Sequence, residues 1–286
     1  MEVGIGLPAT IPGVERDQLL EWARRAEARG FSSLGVIDRI VYPNYEPLIA
    51  LAGAAAVTER IRLTTAILIA PYRVNGALVA KQAATLHHLS QGRLVLGTAI
   101  GAREDDYEAS GVDIHTRGKR FEEMLNLWRR VWAGEEFGTA GGIGPQPPGG
   151  GPTLILGGTV DAAFERAARF GEGWIQGGGS PDQFKEGVAK LDAAWRSAGR
   201  EGEPRKMALA YFSLGADAEQ AADRYLHDYY AFLGEIADMI AGSAATDADT
   251  VKQYVDAFAQ AGCDELIFFP SSADPEQVDL LADAVK

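Results

Sequence analysis

Cysteine and histidine are scarce in this chain, whose 286 residues include one cysteine and four histidines. The single Cys263 excludes a disulfide within one chain and any metal site built from several cysteines. Basic residues are also few, with 27 Lys and Arg against 40 Asp and Glu, so the formal net charge is −13. That balance argues against a nucleic-acid-binding protein and against a polybasic membrane surface.

Long apolar runs are missing as well. No stretch approaches the roughly 18 apolar residues that cross a bilayer. The opening residues, MEVGIGLPATIPG, show neither the basic region nor the apolar region of a secretory signal. The sequence also lacks a G-x-S-x-G elbow, a Walker A motif and a histidine-based zinc motif. We therefore expect a cytoplasmic protein without a metal site.

Short apolar runs alternate with amphipathic segments along the whole chain, which predicts strands alternating with helices. The predicted strands are 3–7, 33–37, 61–70, 93–98, 153–156, 173–175, 207–213 and 265–269. The predicted helices are 15–29, 47–58, 75–89, 117–133, 159–169, 181–198, 217–233, 247–261 and 274–285. Parallel strands need crossover connections, and eight such units in this length favour a closed (β/α)8 TIM barrel over an open sheet. Residues 1–286 are predicted to form a single domain.

Two of the loops after predicted strands are rich in glycine, and loops in this position carry the chemistry of (β/α)8 barrels. Leu156-Gly157-Gly158-Thr159 runs into a predicted helix, where free N–H groups and the positive end of the helix dipole favour an anion. The alternative is a glycine turn with Thr159 as an ordinary N-cap. The next such loop, 176–180, contains Gly177 and Gly178. Two adjacent glycine loops predict a phosphate site.

The loop after the fourth predicted strand combines a small-residue turn with charge. Gly101 and Ala102 allow close approach of a ligand, and Arg103 is able to pair bidentately with a phosphate. The acidic trio that follows, 104–106, is interpreted as a solvated rim. Of the four histidines, His115 is the one placed to reach this face.

Several longer motifs follow one another along the chain. They are RIRLTTAILIAPYR at 60–73, LVAKQAATL at 78–86, LSQGRLVLG at 89–97, AARFGEGW at 167–174 and QAGCDEL at 260–266. Together with 107–111, 117–132 and the Leu-Gly-Gly-Thr loop, these motifs resemble those of the bacterial luciferase-like family of flavin-dependent oxidoreductases. The resemblance covers nearly the whole chain.

The resemblance implies a barrel that holds FMN or the deazaflavin coenzyme F420 at its C-terminal face. The leading expectation is a two-component FMN-dependent monooxygenase, in which a separate flavin reductase supplies reduced flavin and O2 oxygenates a small organic substrate. The alternative is an F420-dependent oxidoreductase that transfers hydride. A third possibility is a flavin-binding relative without catalysis, because Asp38-Arg39 stands where many members carry a histidine after the second strand.

The resemblance also assigns cofactor contacts. The predicted cofactor-binding residues are Thr65, Ala66, Gly101, Ala102, Arg103, Gly157, Gly158, Thr159, Gly177 and Gly178. Family members carry a non-proline cis peptide at the end of the third strand, which predicts a cis bond at Ala66–Ile67. Small Ala66 would let the main chain press against one face of a flat ring.

The substrate side is predicted to be bordered by residues that follow the second and third strands. Asp38 and Arg39 are the candidate catalytic residues, with Arg39 as a fixed positive charge for a reduced cofactor or a substrate carboxylate. The alternative for Arg39 is a salt bridge to a nearby acid. Tyr42, Tyr72 and Arg73 are the candidate substrate-binding residues. A homodimer is also expected, because the family commonly pairs through early helices, here the apolar segments 47–58 and 75–89.

Overall fold

Eight parallel strands close into a barrel in a computed structural model that describes residues 1–286. The strands are β1 (Glu2–Gly6), β2 (Ser33–Val36), β3 (Arg62–Ile69), β4 (Leu94–Ala99), β5 (Thr153–Gly157), β6 (Gly173–Gln176), β7 (Arg205–Phe212) and β8 (Glu265–Pro270). Each strand pairs with the next in sequence, and β8 returns to β1. The prediction of a (β/α)8 TIM barrel is confirmed.

Helices surround the barrel and lie close to their predicted positions. They are α1 (Arg16–Arg29), α2 (Pro47–Ala55), α3 (Gly76–Leu89), α4 (Glu104–Ala109), α5 (Arg117–Trp132), α6 (Asp161–Phe170), α7 (Pro181–Ser197), α8 (Ala218–Tyr229), α9 (Ile236–Gly242), α10 (Ala248–Gln260) and α11 (Glu276–Ala284). The short helices α4 and α9 were not predicted. The predicted helix 217–233 ends earlier, as α8, and a 3-10 turn follows at Ala231–Leu233. None of the helices is long and apolar enough to cross a lipid bilayer.

Strand side chains alternate between two apolar layers, as the period of a strand requires. One layer packs between strands and helices and contains Leu34, Leu63 and Leu266. The other fills the barrel interior and contains Ile155, Ile175, Met207, Ile267 and Phe269. The interior is therefore a packed core, and it forms the floor beneath the C-terminal face of the barrel.

A buried carboxylate closes the opposite, N-terminal end of the barrel. Glu265 is fully buried, and its two oxygens lie 3.1 Å from Arg62 and 2.7 Å from Arg205. Ser32 donates a hydrogen bond of 2.5 Å to the same carboxylate. Burial opposes ionisation, but the hydrogen bond from Ser32 and the charge of Arg62 prevail and lower the pKa of Glu265.

The end of β3 departs from regular strand geometry. The Ala66–Ile67 peptide bond is cis, as predicted, and the pairing of β3 with β4 shifts register between Thr65 and Leu68. The Ile67 side chain reaches across the barrel mouth towards β5 and β6. A Cβ atom at Gly157 would lie 2.6 Å from Ile67 Cδ1, and one at Gly177 would lie 3.3 Å from it. Position 157 therefore has no room for a side chain, because Ile67 packs against it.

Candidate active site

A cavity of about 250 Å³ opens where the strands end, on the face at which barrel enzymes bind their ligands. It is lined by 17 residues, of which 12 are hydrophobic, so it suits a largely apolar ligand. The predicted site residues that line it are Asp38, Ala66, Tyr72, Gly101, Ala102, Arg103 and Gly177. The predicted residues that do not line it are Arg39, Tyr42, Thr65, Arg73, Gly157, Gly158, Thr159 and Gly178. His115 is exposed on a 3-10 turn and does not line it either.

Asp38 is the buried carboxylate of this cavity, and the protein itself occupies both of its oxygens. The backbone N–H of Ile69 donates to it at 2.9 Å, and one nitrogen of Arg73 lies 3.1 Å from each oxygen. The other terminal nitrogen of Arg73 lies 3.0 Å from Glu46, which caps α2. Burial raises the pKa of Asp38, against the opposing charge of Arg73. Arg73 therefore holds the Asp38 carboxylate from behind the cavity wall and does not line the cavity itself.

Two tyrosines stand beside Asp38, and their hydroxyls differ in one respect. The rings of Tyr72 and Tyr107 meet edge to face with centroids 5.7 Å apart. The Tyr107 hydroxyl donates to the carbonyl of Ile100, whereas the buried Tyr72 hydroxyl lies close to the Asp38 carboxylate but meets hydrogen-bond geometry with no protein atom. Burial and the charge of Asp38 raise the pKa of Tyr72 far above the ordinary range for a phenol, so this hydroxyl stays protonated.

The acidic segment after β4 is only partly a solvated rim. Glu104 is exposed, but Asp106 is buried, and one of its oxygens accepts from the N–H groups of Ile40 and Val41 at 3.0 and 2.7 Å. The prediction of a solvated trio is therefore wrong for Asp106. The physical reason is α4, which begins at Glu104 and turns its third residue inward onto the loop after β2.

Arg103 lies at the edge of the cavity, as predicted. It donates to Asp105 at 2.6 Å, and its guanidinium carbon lies 3.7 Å from the centroid of the Phe232 ring. Two of its nitrogens, Nε and Nη1, are buried and make no hydrogen bond within the protein. Arg103 is thus fixed in place by Asp105, with Nε facing Asp106 at 3.6 Å, while neither Nε nor Nη1 is used in a hydrogen bond.

Arg39 is buried beside the cavity and holds neighbouring segments together. It donates to the carbonyls of Tyr229 and Val41 at 2.9 and 2.8 Å, and its guanidinium carbon lies 4.4 Å from the centroid of the Tyr42 ring. It also lies 3.5 Å from Asp105, which agrees with the salt-bridge alternative. The catalytic role of Arg39 stays a prediction, and the contacts show a positioning role.

The two glycine loops form a cradle of free backbone donors. Three N–H groups in the first loop and three in the second donate to no acceptor in the protein. They belong to Gly158, Thr159, Val160, Gly177, Gly178 and Gly179. Trp174 donates to the carbonyl of Gly158 at 2.8 Å and fixes the first loop, and both loops line one pocket. Unpaired donors at the start of α6 fit an anion such as a cofactor phosphate.

One detail of this loop differs from the sequence expectation. The N-cap of α6 is Val160, which has no side chain able to cap, so the alternative of Thr159 as an N-cap is wrong. The helix begins one residue later than that reading requires, and Thr159 is exposed beside the cradle. The hydroxyl of Thr159 is therefore available to a ligand. Thr65, by contrast, donates its hydroxyl to the carbonyl of Gly97 at 2.7 Å and faces the neighbouring strand.

A group of buried tyrosines at the mouth was missed by the sequence analysis. Tyr211 and Tyr230 join their hydroxyls at 2.7 Å, and Tyr225 pairs with Thr10 at 2.7 Å. Tyr211 and Tyr230 border both the first cavity and a second one of about 710 Å³. The spacing of Tyr225 and Tyr229 by four residues on α8, and the inward position of Tyr211 on β7, are signals that could have identified the group.

The barrel, the apolar cavity at its C-terminal face and the adjacent anion cradle together define a (β/α)8 barrel of the kind that binds a phosphate-bearing cofactor. The chain belongs to the luciferase-like monooxygenase family, whose model matches residues 1–280. It is therefore a luciferase-like oxidoreductase, as the sequence motifs indicated.

Proteins similar in sequence to this chain include an uncharacterized protein and a monooxygenase. An uncharacterized protein of Mycobacterium tuberculosis is 32% identical over 225 residues, which cover 75% of each chain. The FMNH2-dependent dimethylsulfone monooxygenase of Pseudomonas fluorescens is 28% identical over 218 residues, which cover 72% of this chain and 55% of that protein.

Solved structures share the fold at low sequence identity. An F420-dependent secondary alcohol dehydrogenase superposes with a TM-score of 0.84 at 20% identity, covering 100% of this chain and 99% of that one. The oxygenating constituent of 3,6-diketocamphane monooxygenase from Pseudomonas putida, in complex with FMN, superposes with a TM-score of 0.74 at 18% identity, covering 100% and 97%.

Proposed function

We propose that this chain is an oxidoreductase that binds a flavin-type cofactor at the barrel mouth and takes coenzyme F420 in preference to FMN. The observation that carries this choice is the charge of the phosphate cradle. It offers free N–H groups, and the pocket beside it contains no arginine, whereas Arg103 lies in the adjoining cavity that Gly177 also lines. The only lysine in the adjoining pocket, Lys190, lies 2.9 Å from Asp161, and the same pocket also contains Glu186.

The two cofactors place different charges in such a cradle. The phosphate of FMN is a monoester with a charge of about −1.5 to −2 at pH 7. The phosphate of F420 is a diester and carries a single negative charge. Backbone donors and a helix N-terminus suit one charge, whereas a second charge calls for an arginine or lysine. The cradle therefore supports the diester and reverses the preference for FMN drawn from the sequence.

The apolar lining of the cavity supports a place for the ring system of either cofactor. Ala66 and Ile67 would back one face of the ring, and Arg103 would offer donors at its edge. Phe232 and Tyr230 add aromatic surface to the lining. When bound, F420 exchanges a hydride with an organic substrate. The apolar lining supports a small, largely apolar substrate.

A second candidate function is an FMNH2-dependent monooxygenase that receives reduced flavin from a separate reductase. Its support is the 28% identity to the FMNH2-dependent dimethylsulfone monooxygenase. This candidate requires the cradle to hold a doubly charged phosphate although its one lysine, Lys190, is paired with Asp161.

Titration of the purified protein with F420, FMN and FMNH2, followed by fluorescence and calorimetry, tests the proposal. We expect F420 to bind at least about tenfold more tightly than either form of FMN, which corresponds to about 1.4 kcal/mol. Tighter binding of FMNH2, together with O2 consumption, would establish the second candidate. Failure to bind any of the three would exclude both.

A variant of the cradle sharpens this test. Asp161→Asn removes the partner of Lys190 and leaves a free cation beside the cradle. It should strengthen FMN binding more than F420 binding. Glu219→Gln, which removes an exposed carboxylate from α8, is the matched control and should leave the ratio of the two affinities unchanged. Equal effects of both variants would show that the charge of the cradle does not select the cofactor.

A further inference from the structure

The Tyr72 hydroxyl is a buried polar group without a partner. The residue is 2% exposed and lines the cavity, and no protein atom meets hydrogen-bond geometry with its oxygen, although the hydroxyl lies close to the Asp38 carboxylate, whose two oxygens already accept from Ile69 and Arg73. Buried polar groups are nearly always paired, and leaving one unpaired costs about 1–3 kcal/mol. A group retained at that cost points to a partner that arrives with a ligand.

The other polar groups of the cavity show what that partner must be. The acceptors are largely engaged, because Asp38 takes its hydrogen bonds from Ile69 and Arg73, and Asp106 takes its own at one oxygen from Ile40 and Val41 while its other oxygen faces Arg103 at 3.6 Å. The groups that remain free are donors. They are the Tyr72 hydroxyl and the Nε and Nη1 atoms of Arg103. A ligand with an oxygen acceptor satisfies this cavity, and one that presents only donors does not.

We propose that Tyr72 is a ligand-binding residue whose hydroxyl donates a hydrogen bond to an uncharged or partly negative oxygen of the molecule held in this cavity. The oxygen belongs either to the carbonyl edge of the cofactor ring or to a carbonyl or alcohol group of a small, largely apolar substrate. The inference rests on the proposed function for the identity of the cofactor, and the experiment below separates the two sources.

The surroundings of Tyr72 favour a donor that is fixed in advance. Its ring is held edge-on against Tyr107, and the guanidinium carbon of Arg73 lies 5.8 Å from its centroid. The neighbouring charge of Asp38 disfavours the phenolate, so the proton remains on the hydroxyl. A donor that needs no reorganisation is effective at binding developing negative charge on oxygen.

Tyr72→Phe tests the proposal, with Tyr107→Phe as the matched control on the same wall. Removing a hydroxyl that has no partner should leave the melting temperature of the free protein unchanged or higher. Tyr107→Phe removes a hydrogen bond to Ile100 and should lower it. A lower melting temperature for Tyr72→Phe would show that the hydroxyl pairs within the protein, and would overturn the proposal.

Ligand binding then identifies the source of the oxygen. If the cofactor is the acceptor, Tyr72→Phe weakens F420 or FMN binding by about three- to tenfold relative to wild type. If the substrate is the acceptor, cofactor affinity is unchanged, and binding of the probe cyclohexanone to the cofactor-loaded protein, followed by saturation-transfer NMR, is lost. Cofactor and cyclohexanone binding both within twofold of wild type would overturn the proposal.

Failure of the proposed function gives a different pattern. In that case the wild-type protein binds neither F420 nor FMN, and cyclohexanone binding to the cofactor-free wild type and Tyr72→Phe is compared instead; equal binding by both would overturn the role of Tyr72.

Discussion

Arg73 holds Asp38 at the end of β2 through a single nitrogen that lies 3.1 Å from both oxygens of the carboxylate. Both side chains are largely buried, with 13% and 1% of their surfaces exposed. A charge pair withdrawn from water contributes little by itself, but either charge left alone in the same place is costly. The pair therefore fixes the carboxylate that borders the cavity.

A double-mutant cycle tests this coupling. Arg73→Met should lower the free energy of unfolding by about 3–5 kcal/mol, because it leaves the buried Asp38 charge without its partner, and Asp38→Asn should cost less, because Arg73 keeps its contact with Glu46. The double variant should lose clearly less than the sum of the two. Urea unfolding measures all four proteins, and additive losses would show that the two residues act independently.

Arg39 provides a second test, because its two roles predict different outcomes. As a positioning residue it should be irreplaceable by lysine, which cannot donate to the carbonyls of Tyr229 and Val41 with one planar fork. We expect Arg39→Ala and Arg39→Lys each to cost about 2–3 kcal/mol of unfolding free energy. If stability is unchanged but turnover falls, the sequence-based catalytic role is correct.

The phosphate cradle is tested at Gly178, which has a φ of 106° and no neighbouring atom where its Cβ would lie. Gly178→Val fills the space that a phosphate would enter and strains a backbone conformation that L residues avoid. Cofactor affinity should fall more than about tenfold. Gly215→Val, at a φ of 101° with Leu280 at an ordinary contact distance of 3.8 Å, imposes similar strain elsewhere and is the control. Equal affinity of both variants would place the phosphate elsewhere.

Glu265 makes the acid stability of the barrel predictable. Its pKa is lowered in the folded protein, so its stabilising effect is complete above the unfolded value of about 4.5 and is lost as pH falls through the folded value. Glu265→Gln should cost about 3–5 kcal/mol at pH 7 and flatten the loss of stability in acid. Glu2→Gln, a half-exposed partner in the same network, should cost under about 1 kcal/mol. Chemical unfolding between pH 3 and 7 measures both.

The homodimer expected from the sequence remains a prediction with a defined surface. Ile49 on α2 is 66% exposed, and Val74 and Leu78 at the start of α3 are 70% and 49% exposed. Light scattering should give twice the chain mass of 30.5 kDa at micromolar concentration. Ile49→Asp with Leu78→Asp should shift the protein to monomer, whereas Ile236→Asp, at an exposed apolar position on α9, should not. A wild-type monomer would reject the prediction.

The periodic parts of this molecule could be predicted from sequence, and the parts set by long-range packing could not. All eight strands lie where short apolar runs indicated them, because burial on both faces leaves a local signature. Asp106 shows the opposite case. Nothing in three consecutive acidic residues reveals that the third lies against the backbone of Ile40, a segment 66 positions earlier in sequence.

The candidate site shows the same division. Glycines in two adjacent loops predicted the anion cradle, since a turn and a free N–H are local properties. Gly157 was assigned to that cradle, but its size is required by Ile67, which reaches it from β3. The sequence placed Arg39 beside the barrel mouth, where it lies. It could not indicate that Arg39 donates to the carbonyl of Tyr229, which is 190 positions away.

The wall between the two cavities at the mouth is made by Tyr211 from β7 and Tyr230 from the segment after α8. One half of this wall belongs to the barrel and the other half to a connection that the strands do not need in order to fold. A change of size at position 230 would alter the room open to a substrate while β7 keeps its place. Such an arrangement allows substrate range to diverge between relatives while the barrel keeps its shape, and it makes Tyr230 the first position to randomise when new substrates are sought, together with Tyr211→Phe, which removes the hydroxyl that would lose its partner.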